Sequence, residues 1–389
     1  MDRKLTALQI GNEALARSDY QTARDAFENA HAAQPSIDAL LGLSQAYDGL
    51  GEAKASLDAI DRALKIDPQH LPALLAKGDF YHGRQDTKTA GSFYQAALAL
   101  ATQGGVAPQS ITAAVRENLQ RAQMRCQEYV AQYESYLRGA LAEEISRSVS
   151  GPAGGFSQSI DLIFGKRSRY QQQPTKYYFP ELPAQQFYDP QKFQWVEELN
   201  AATAAIRDEL KRVIDLNDAF VPYVQRNIDT PASDSHGMMN NPNWSAWYLW
   251  KDGKAVAENI DQCPATAAAL RKIPLADIPG ASPSALFSVL RAGARIPPHT
   301  GVTNTRLICH LPLIVPDQCG FRVGNESRAW VEGETWIFDD TIEHEAWNNS
   351  GEDRYVLIFD IPQPHMTPED HSAVGKLFEA IDAYGSNLR

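Results

Sequence analysis

The sequence predicts a multidomain chain: an all-α array of helical repeats followed by an all-β sandwich or barrel with flanking helices. Three features carry that expectation. Residues 1–102 repeat themselves at a period of about 34 residues. From about residue 284 the pattern turns to short, alternating, β-branched runs broken by turns. Between them lies SRSVSGPAGGFSQS, rich in Ser and Gly and read as a linker over 151–174. A chain of 389 residues is also too long for one ordinary domain.

In the repeats, Pro35 and Pro68 end two units, and the positions before them correspond. The first unit has Gly11, Ala14, Ala23, Phe27 and Ala30, and the second has Ser44, Tyr47, Ser56, Ile60 and Ala63. A third runs Gly78, Tyr81, Ala90, Tyr94 and Ala97. Small residues fall where two helices cross, and a large one falls where they must be wedged apart. This pattern resembles the tetratricopeptide (TPR) repeat. The resemblance implies an all-α TPR superhelix of about three repeats over 1–102, near the minimum that can bury its apolar faces. It also implies a concave groove for a peptide or protein partner. The alternative is that the array only packs against the second domain or makes a dimer. The segment 109–144 has no Gly or Pro until Gly139, which predicts a connecting or capping helix within 103–150. An amphipathic helix is expected over 192–214 and a C-terminal helix over 371–389.

Composition excludes little but points in one direction. The chain is 43% hydrophobic and 22% charged, with a net charge of −12 that offers no large basic footprint for nucleic acid or anionic membrane. Cys126, Cys263, Cys309 and Cys319 show no CxxC or zinc-like spacing. Neither a signal peptide nor a long apolar span is visible, so no membrane insertion and a cytoplasmic location are expected.

Three of the nine histidines have useful company. His299 lies in PPHTGVTNTR, read as the end of a turn entering a strand. His310 lies within the strand 304–313, and His344 follows another strand in FDDTIEHEAWN. Side chains alternate faces along a strand, so Arg306, Ile308 and His310 share one face while Leu307, Cys309 and Leu311 share the other. Arg354, Val356 and Ile358 likewise share a face of the last strand. A guanidinium among aliphatics is costly without a partner, so these faces are expected to look into a polar, anion-accepting cavity.

HTG, GNE, FDD and EHEAWN occur at these separations, with Arg354 ten residues after His344. Together with YYFPELPAQQFYDP, WSAWYLWKDGK and QCPATAAAL upstream, they resemble the aspartyl/asparaginyl β-hydroxylase family over 175–370. The resemblance implies a double-stranded β-helix (jelly-roll, cupin-like) oxygenase domain using Fe(II), 2-oxoglutarate and dioxygen. It assigns iron to His299 and His344, and the distal carboxylate of 2-oxoglutarate to Arg354 with Ser288 as hydroxyl partner. His310 is a further co-substrate contact, and Arg306 belongs to the same cofactor-binding face. Gly301 stands where many such enzymes carry a carboxylate ligand, a departure the family shares. Asp339 or Asp340 could orient an iron-bound water or could simply form a turn. Ile308 replaces the family's second arginine, removing one cationic contact to an acidic substrate or co-substrate. The expected activity is hydroxylation of an unactivated C–H bond, in an Asp/Asn-type residue of a peptide or protein. The alternatives are a small-molecule or acyl-chain hydroxylase, and a TPR scaffold with an inactive oxygenase domain.

Overall fold

The computed structural model describes residues 6–102, 111–148, 155–216, 220–225 and 237–384. The chain divides into two compact units, 1–164 and 165–389.

In the first unit, α1 (Ala7–Ala16) and α2 (Tyr20–Ala33), α3 (Ile37–Gly49) and α4 (Ala53–Ile66), and α5 (Leu71–His82) and α6 (Thr87–Thr102) pack as three consecutive pairs. Thr6 and Gln9 close a reciprocal capping box at the first helix, and Asp19 and Ser36 cap α2 and α3 with their side chains. Both repeat prolines act through the residue before them. Gln34 and Asp67 are extended, with φ of −148° and −138°, which ends α2 and α4. Phe27 is the wedge. Its ring sits where Cβ atoms at Gly11 and Gly42 would come within 2.7 and 2.5 Å of it, so only glycine lets α1 and α3 close on it. Ser44 and Ser56 occupy the corresponding crossing in the second repeat, their hydroxyls 3.0 Å apart. Phe27 is 1% exposed, and Phe27→Ala is expected to cost about 3–5 kcal/mol. Chemical denaturation followed by helical circular dichroism checks this, as an earlier helical transition.

The long helix α7 (Ala113–Ala140) lies against α5 and α6. Arg125 donates to Tyr94 Oη at 2.5 Å and pairs with Asp79, and Tyr129 Oη meets His82 Nδ1 at 2.5 Å. After α8 (Ala142–Ser148), the segment expected as a linker instead contains α9 (Gly155–Ile163). Ile160 is buried there, and Asp161 pairs with Arg138 of α7 at 2.5 Å. Ser and Gly content misled here, because the burial of Ile160 and the Asp161–Arg138 pair outweigh weak intrinsic propensity.

The second unit opens with a chain segment that is held rather than loose. Ser168 N donates to Asn325 Oδ1 at 2.9 Å, Gln173 N to Thr341 O at 2.7 Å and Thr175 N to Gly301 O at 2.9 Å. Then come β1 (Phe187–Tyr188), α10 (Val196–Ala201), α11 (Thr203–Ile214), β2 (Val221–Pro222), β3 (Trp244–Lys251), β4 (Lys254–Ala255), α12 (Ala257–Gln262) and α13 (Pro264–Leu270). The helix expected over 192–214 is thus two helices, broken at Ala202, with Leu199, Ile206, Leu210 and Val213 buried along one stripe. Eight strands follow: β5 (Ala285–Leu290), β6 (Arg295–His299), β7 (Arg306–Ile314), β8 (Cys319–Val323), β9 (Glu326–Ala329), β10 (Trp336–Phe338), β11 (His344–Asn348) and β12 (Arg354–Pro362). The chain then enters α14 (Pro368–Tyr384), which begins three residues before the expected 371.

Strand order settles the architecture. One sheet runs β1-β10-β7-β12-β5-β3-β2 with β4 on β3, and the other runs β6-β11-β8-β9. All pairings between these strands are antiparallel. The eight strands β5–β12 therefore fall four to each layer, crossing between layers at every connection except β8–β9, in the order of a double-stranded β-helix, a jelly roll. The outer face of the larger sheet, including Leu307, Cys309, Phe287 and Phe359, packs with Leu199, Ile206 and Leu210 of the helices. The inner face of β7 is left to look between the sheets. Among the described residues, no helix is long and apolar enough to cross a membrane.

Candidate active site

A cavity of about 480 Å3 lies between the two sheets. His299, Arg306, Ile308, His310, Asp340, His344 and Arg354 all line it.

His299 closes β6 instead of entering a strand, and His344 opens β11. The two are direct register partners across the β6–β11 pair, with ring centroids 4.1 Å apart. Each ring is fixed by its own turn: His299 Nδ1 donates to Pro297 O at 2.8 Å and His344 Nδ1 to Ile342 O at 3.1 Å. A carbonyl can only accept, so each ring carries a proton on Nδ1. Burial, and then the nearby His299, hold His344 down to about 3. It is a neutral imidazole at ordinary pH, the form that ligates metals.

Asp339 and Asp340, adjacent in sequence, do different work. Asp339 Oδ1 accepts from Thr341 N at 3.0 Å and Thr341 Oγ1 at 2.6 Å, and its Oδ2 accepts from Gln172. It is the turn-former. Asp340 faces the cavity and occupies the space beside Gly301, where a Cβ would overlap its carboxylate. Gly301 N also donates to Asp340 O at 2.6 Å. Burial raises the Asp340 carboxyl to about 6 against the opposing pull of Arg306, and its Oδ1 has no hydrogen-bond partner. Among the described residues, no three His, Cys, Asp or Glu side chains cluster to hold a metal.

Arg354 is 1% exposed, with neither Nε nor Nη1 hydrogen-bonded. Its guanidinium lies 5.2 Å from the centre of the Trp330 ring, and burial pulls its pKa down to about 10. His310 is stacked on the same indole, and its Nδ1 also lacks a partner. Burial first, then Arg354, push His310 well below the usual histidine range. Ser288 shares the inner face with Arg354, but its register partner is Val356 and its hydroxyl accepts from Trp244 Nε1 at 3.2 Å. It does not line the cavity. Arg306 does, tied to two carboxylates: Asp340 Oδ2 at 3.3 Å and Asp360 Oδ2 at 3.5 Å.

Sequence reasoning missed Trp330, Trp244, Thr175 and Asp360. Asp360 carried a readable signal, since it lies two residues beyond Ile358 on the same face. Trp330 and Thr175 carried none, being set by loops with no periodicity.

Residues 200–364 match the family described as Aspartyl/Asparaginyl beta-hydroxylase, and residues 37–70 match the tetratricopeptide repeat. The chain is 37% identical over 184 residues to the "Ornithine lipid ester-linked acyl 2-hydroxylase" of Rhizobium tropici, covering 46% of this chain and 62% of that protein. It is 30% identical over 199 residues to the "Aspartyl/asparaginyl beta-hydroxylase" of Homo sapiens, covering 50% of this chain and 24% of that protein. With the human "Aspartate beta-hydroxylase domain-containing protein 2", identity is 27% over 361 residues, 88% of this chain and 92% of that one. The chain thus spans less than two thirds of the first two of these relatives. The jelly-roll strands and the paired histidines thus fall within the segment, 200–364, that matches the aspartyl/asparaginyl β-hydroxylase family, on a chain that also matches the TPR repeat over 37–70.

Proposed function

We propose that the second unit is an iron(II)- and 2-oxoglutarate-dependent hydroxylase. The observation that carries this is Arg354, a buried guanidinium without hydrogen-bond partners at Nε and Nη1, lining the same cavity as two histidines in register. A buried charge of that kind is tolerable only where an anion completes it. A carboxylate suits its planar fork, while two imidazoles suit iron.

In this reading His299 Nε2 and His344 Nε2 hold the metal and Arg354 holds the distal carboxylate of 2-oxoglutarate. His310 is a neutral second contact to the co-substrate. When bound, the iron and co-substrate supply dioxygen chemistry: one oxygen atom enters a substrate C–H bond, and the other enters succinate as carbon dioxide leaves. Asp340 Oδ1 accepts a hydrogen bond from solvent at the position where Gly301 provides no ligand. Phe321, Phe338 and Trp244 line the cavity and keep bulk water from it. The TPR unit is assigned a peptide or protein partner. The names of the relatives offer two substrate classes for the enzyme: an aspartyl or asparaginyl residue, and an ester-linked acyl chain.

The test is Fe(II)-dependent conversion of 2-oxoglutarate to succinate. His344→Ala is expected to reduce it to the background rate, because one remaining imidazole cannot hold the metal in place. Undiminished turnover in that variant would sink the ligand assignment.

A further inference from the structure

The two candidate metal ligands share the last rung of a short ladder. Between β6 and β11 the register runs Arg295–Trp347, Ile296–Ala346 and His299–His344, with an irregularity between Ala346 and His344. β6 ends at His299 and β11 begins at His344, so pairing between these two strands holds the histidines from one side only. The end of a ladder opens readily unless something else ties it.

What ties it is a stretch of chain before β1, N-terminal to the matched segment 200–364. Gln173 N donates to Thr341 O at 2.7 Å, on the turn before His344. Thr175 N donates to Gly301 O at 2.9 Å and Tyr177 N to Val302 O at 3.1 Å, on the turn after His299. One side chain of this stretch reaches both turns at once. Gln172 Nε2 donates to Asp339 Oδ2 at 2.6 Å, and Gln172 Oε1 accepts from Asn304 Nδ2 at 3.0 Å. Asn304 lies five residues after His299, and Asp339 five residues before His344. Both are 0% exposed.

The direction of each bond is fixed by its neighbours. Phe179 N can only donate and Phe179 O can only accept. Asn304 Oδ1 therefore faces the first at 2.7 Å and Asn304 Nδ2 the second at 2.8 Å. That turns a donor towards Gln172, whose oxygen must answer it, and leaves the Gln172 nitrogen for the carboxylate of Asp339. The other Nε2 hydrogen goes to Pro183 O at 3.3 Å. Asp339 passes the constraint on. Its Oδ1 accepts from Thr341, and its backbone O accepts from Ile342 N at 3.3 Å. Ile342 O is in turn the group that orients the His344 ring.

We propose that Gln172 is a positioning residue for the metal centre, an amide bridge that fixes the turn after His299 against the turn before His344. This rests on the reading of those histidines as metal ligands. A side chain with a donor and an acceptor at one end meets both partners, whereas a carboxylate there would set like charge against Asp339.

The experiment titrates Co(II) alone into the full chain, following heat and the visible spectrum of the bound ion, with thermal unfolding measured in parallel. Gln172→Glu keeps the acceptor for Asn304 but opposes Asp339, and is expected to weaken Co(II) binding about tenfold or more. Asp339→Asn sets an amide nitrogen against the Gln172 nitrogen and is expected to do the same. Together the two substitutions exchange donor for acceptor at constant total charge. The double variant is expected to return to within about threefold of wild-type affinity, as coupled neighbours do, with the wild-type spectrum. A bridge serving stability alone would lower the unfolding temperature of the single variants and leave their Co(II) affinity and spectrum unchanged. That result overturns the proposal, as does a double variant no better than the single ones. If Gln172→Glu does not fold, Gln172→Met, unbranched and apolar, replaces it with the same loss expected, and wild-type affinity there overturns the proposal. No Co(II) binding by the wild type brings down the ligand assignment itself. Wild-type binding with unchanged variants brings down only the bridge.

Discussion

Arg354→Met is expected to make the protein more stable on its own and unresponsive to 2-oxoglutarate. The wild-type guanidinium is 1% exposed and lacks partners at two of its nitrogens, so the folded state carries the desolvation cost of a charge without full compensation. Methionine keeps the unbranched shape and removes the charge. Replacing buried ionic groups with packed apolar ones stabilises by about 1–4 kcal/mol, read as a rise in Tm of roughly 2–4 °C per kcal/mol for a unit of this size. Added 2-oxoglutarate should reverse the ranking. At a hundred times its Kd a ligand stabilises the protein that binds it by about 2.7 kcal/mol, and only the wild type should gain. Crossing thermal-shift curves are the signature. If Arg354→Met is less stable than wild type without co-substrate, the guanidinium has a structural partner and its role as a carboxylate seat is lost.

The second large effect is at Gly301. No left-handed φ demands glycine there; the obstacle is the Asp340 carboxylate, which a Cβ would overlap. Gly301→Ala should therefore destabilise through overpacking, by about 1–3 kcal/mol. Because the displaced group lines the same cavity as the histidine pair, metal affinity should fall with stability. Asp340→Ala in the same chain should recover much of the stability lost, giving a coupling energy on the order of 0.5–3 kcal/mol in a double-mutant cycle. Gly301→Asp alone should not improve iron binding, although it creates the familiar His-x-Asp spacing, because the new carboxylate needs the space Asp340 fills. Gly301→Asp with Asp340→Gly should bind iron better than Gly301→Asp alone. Additive stability effects at 301 and 340 would show that the two positions do not compete.

Alternation along β7 was legible in advance. Leu307, Cys309 and Leu311 pack under the helices, while Arg306, Ile308 and His310 face the cavity, because period-2 geometry leaves no other choice. The repeat prolines were equally readable, since the residue before each is driven out of the helical region whatever surrounds it. What failed depended on distant parts of the chain. β6 contains Pro297 and Pro298, which argue against a strand until its place at the edge of the smaller sheet is known. Thr175 reaches the cavity because the chain before β1 bonds to Gly301 and Val302, a long-range pairing with no local signature. Ser288 had the right face, but Trp244 comes from a strand whose aromatic run gave no warning that its indole would take the hydroxyl. Separating Asp339 from Asp340 needed the turn itself, which turns one carboxylate back onto Thr341 and the other into the site.

Titration calorimetry of 2-oxoglutarate into the full chain, with and without Fe(II) under anaerobic conditions, tests the central claim most directly. One site per chain is expected, tighter with the metal present, weakened by His299→Ala or His344→Ala and absent in Arg354→Met. Failure of 2-oxoglutarate to bind the iron-loaded wild type, or equal affinity in wild type and Arg354→Met, would contradict it.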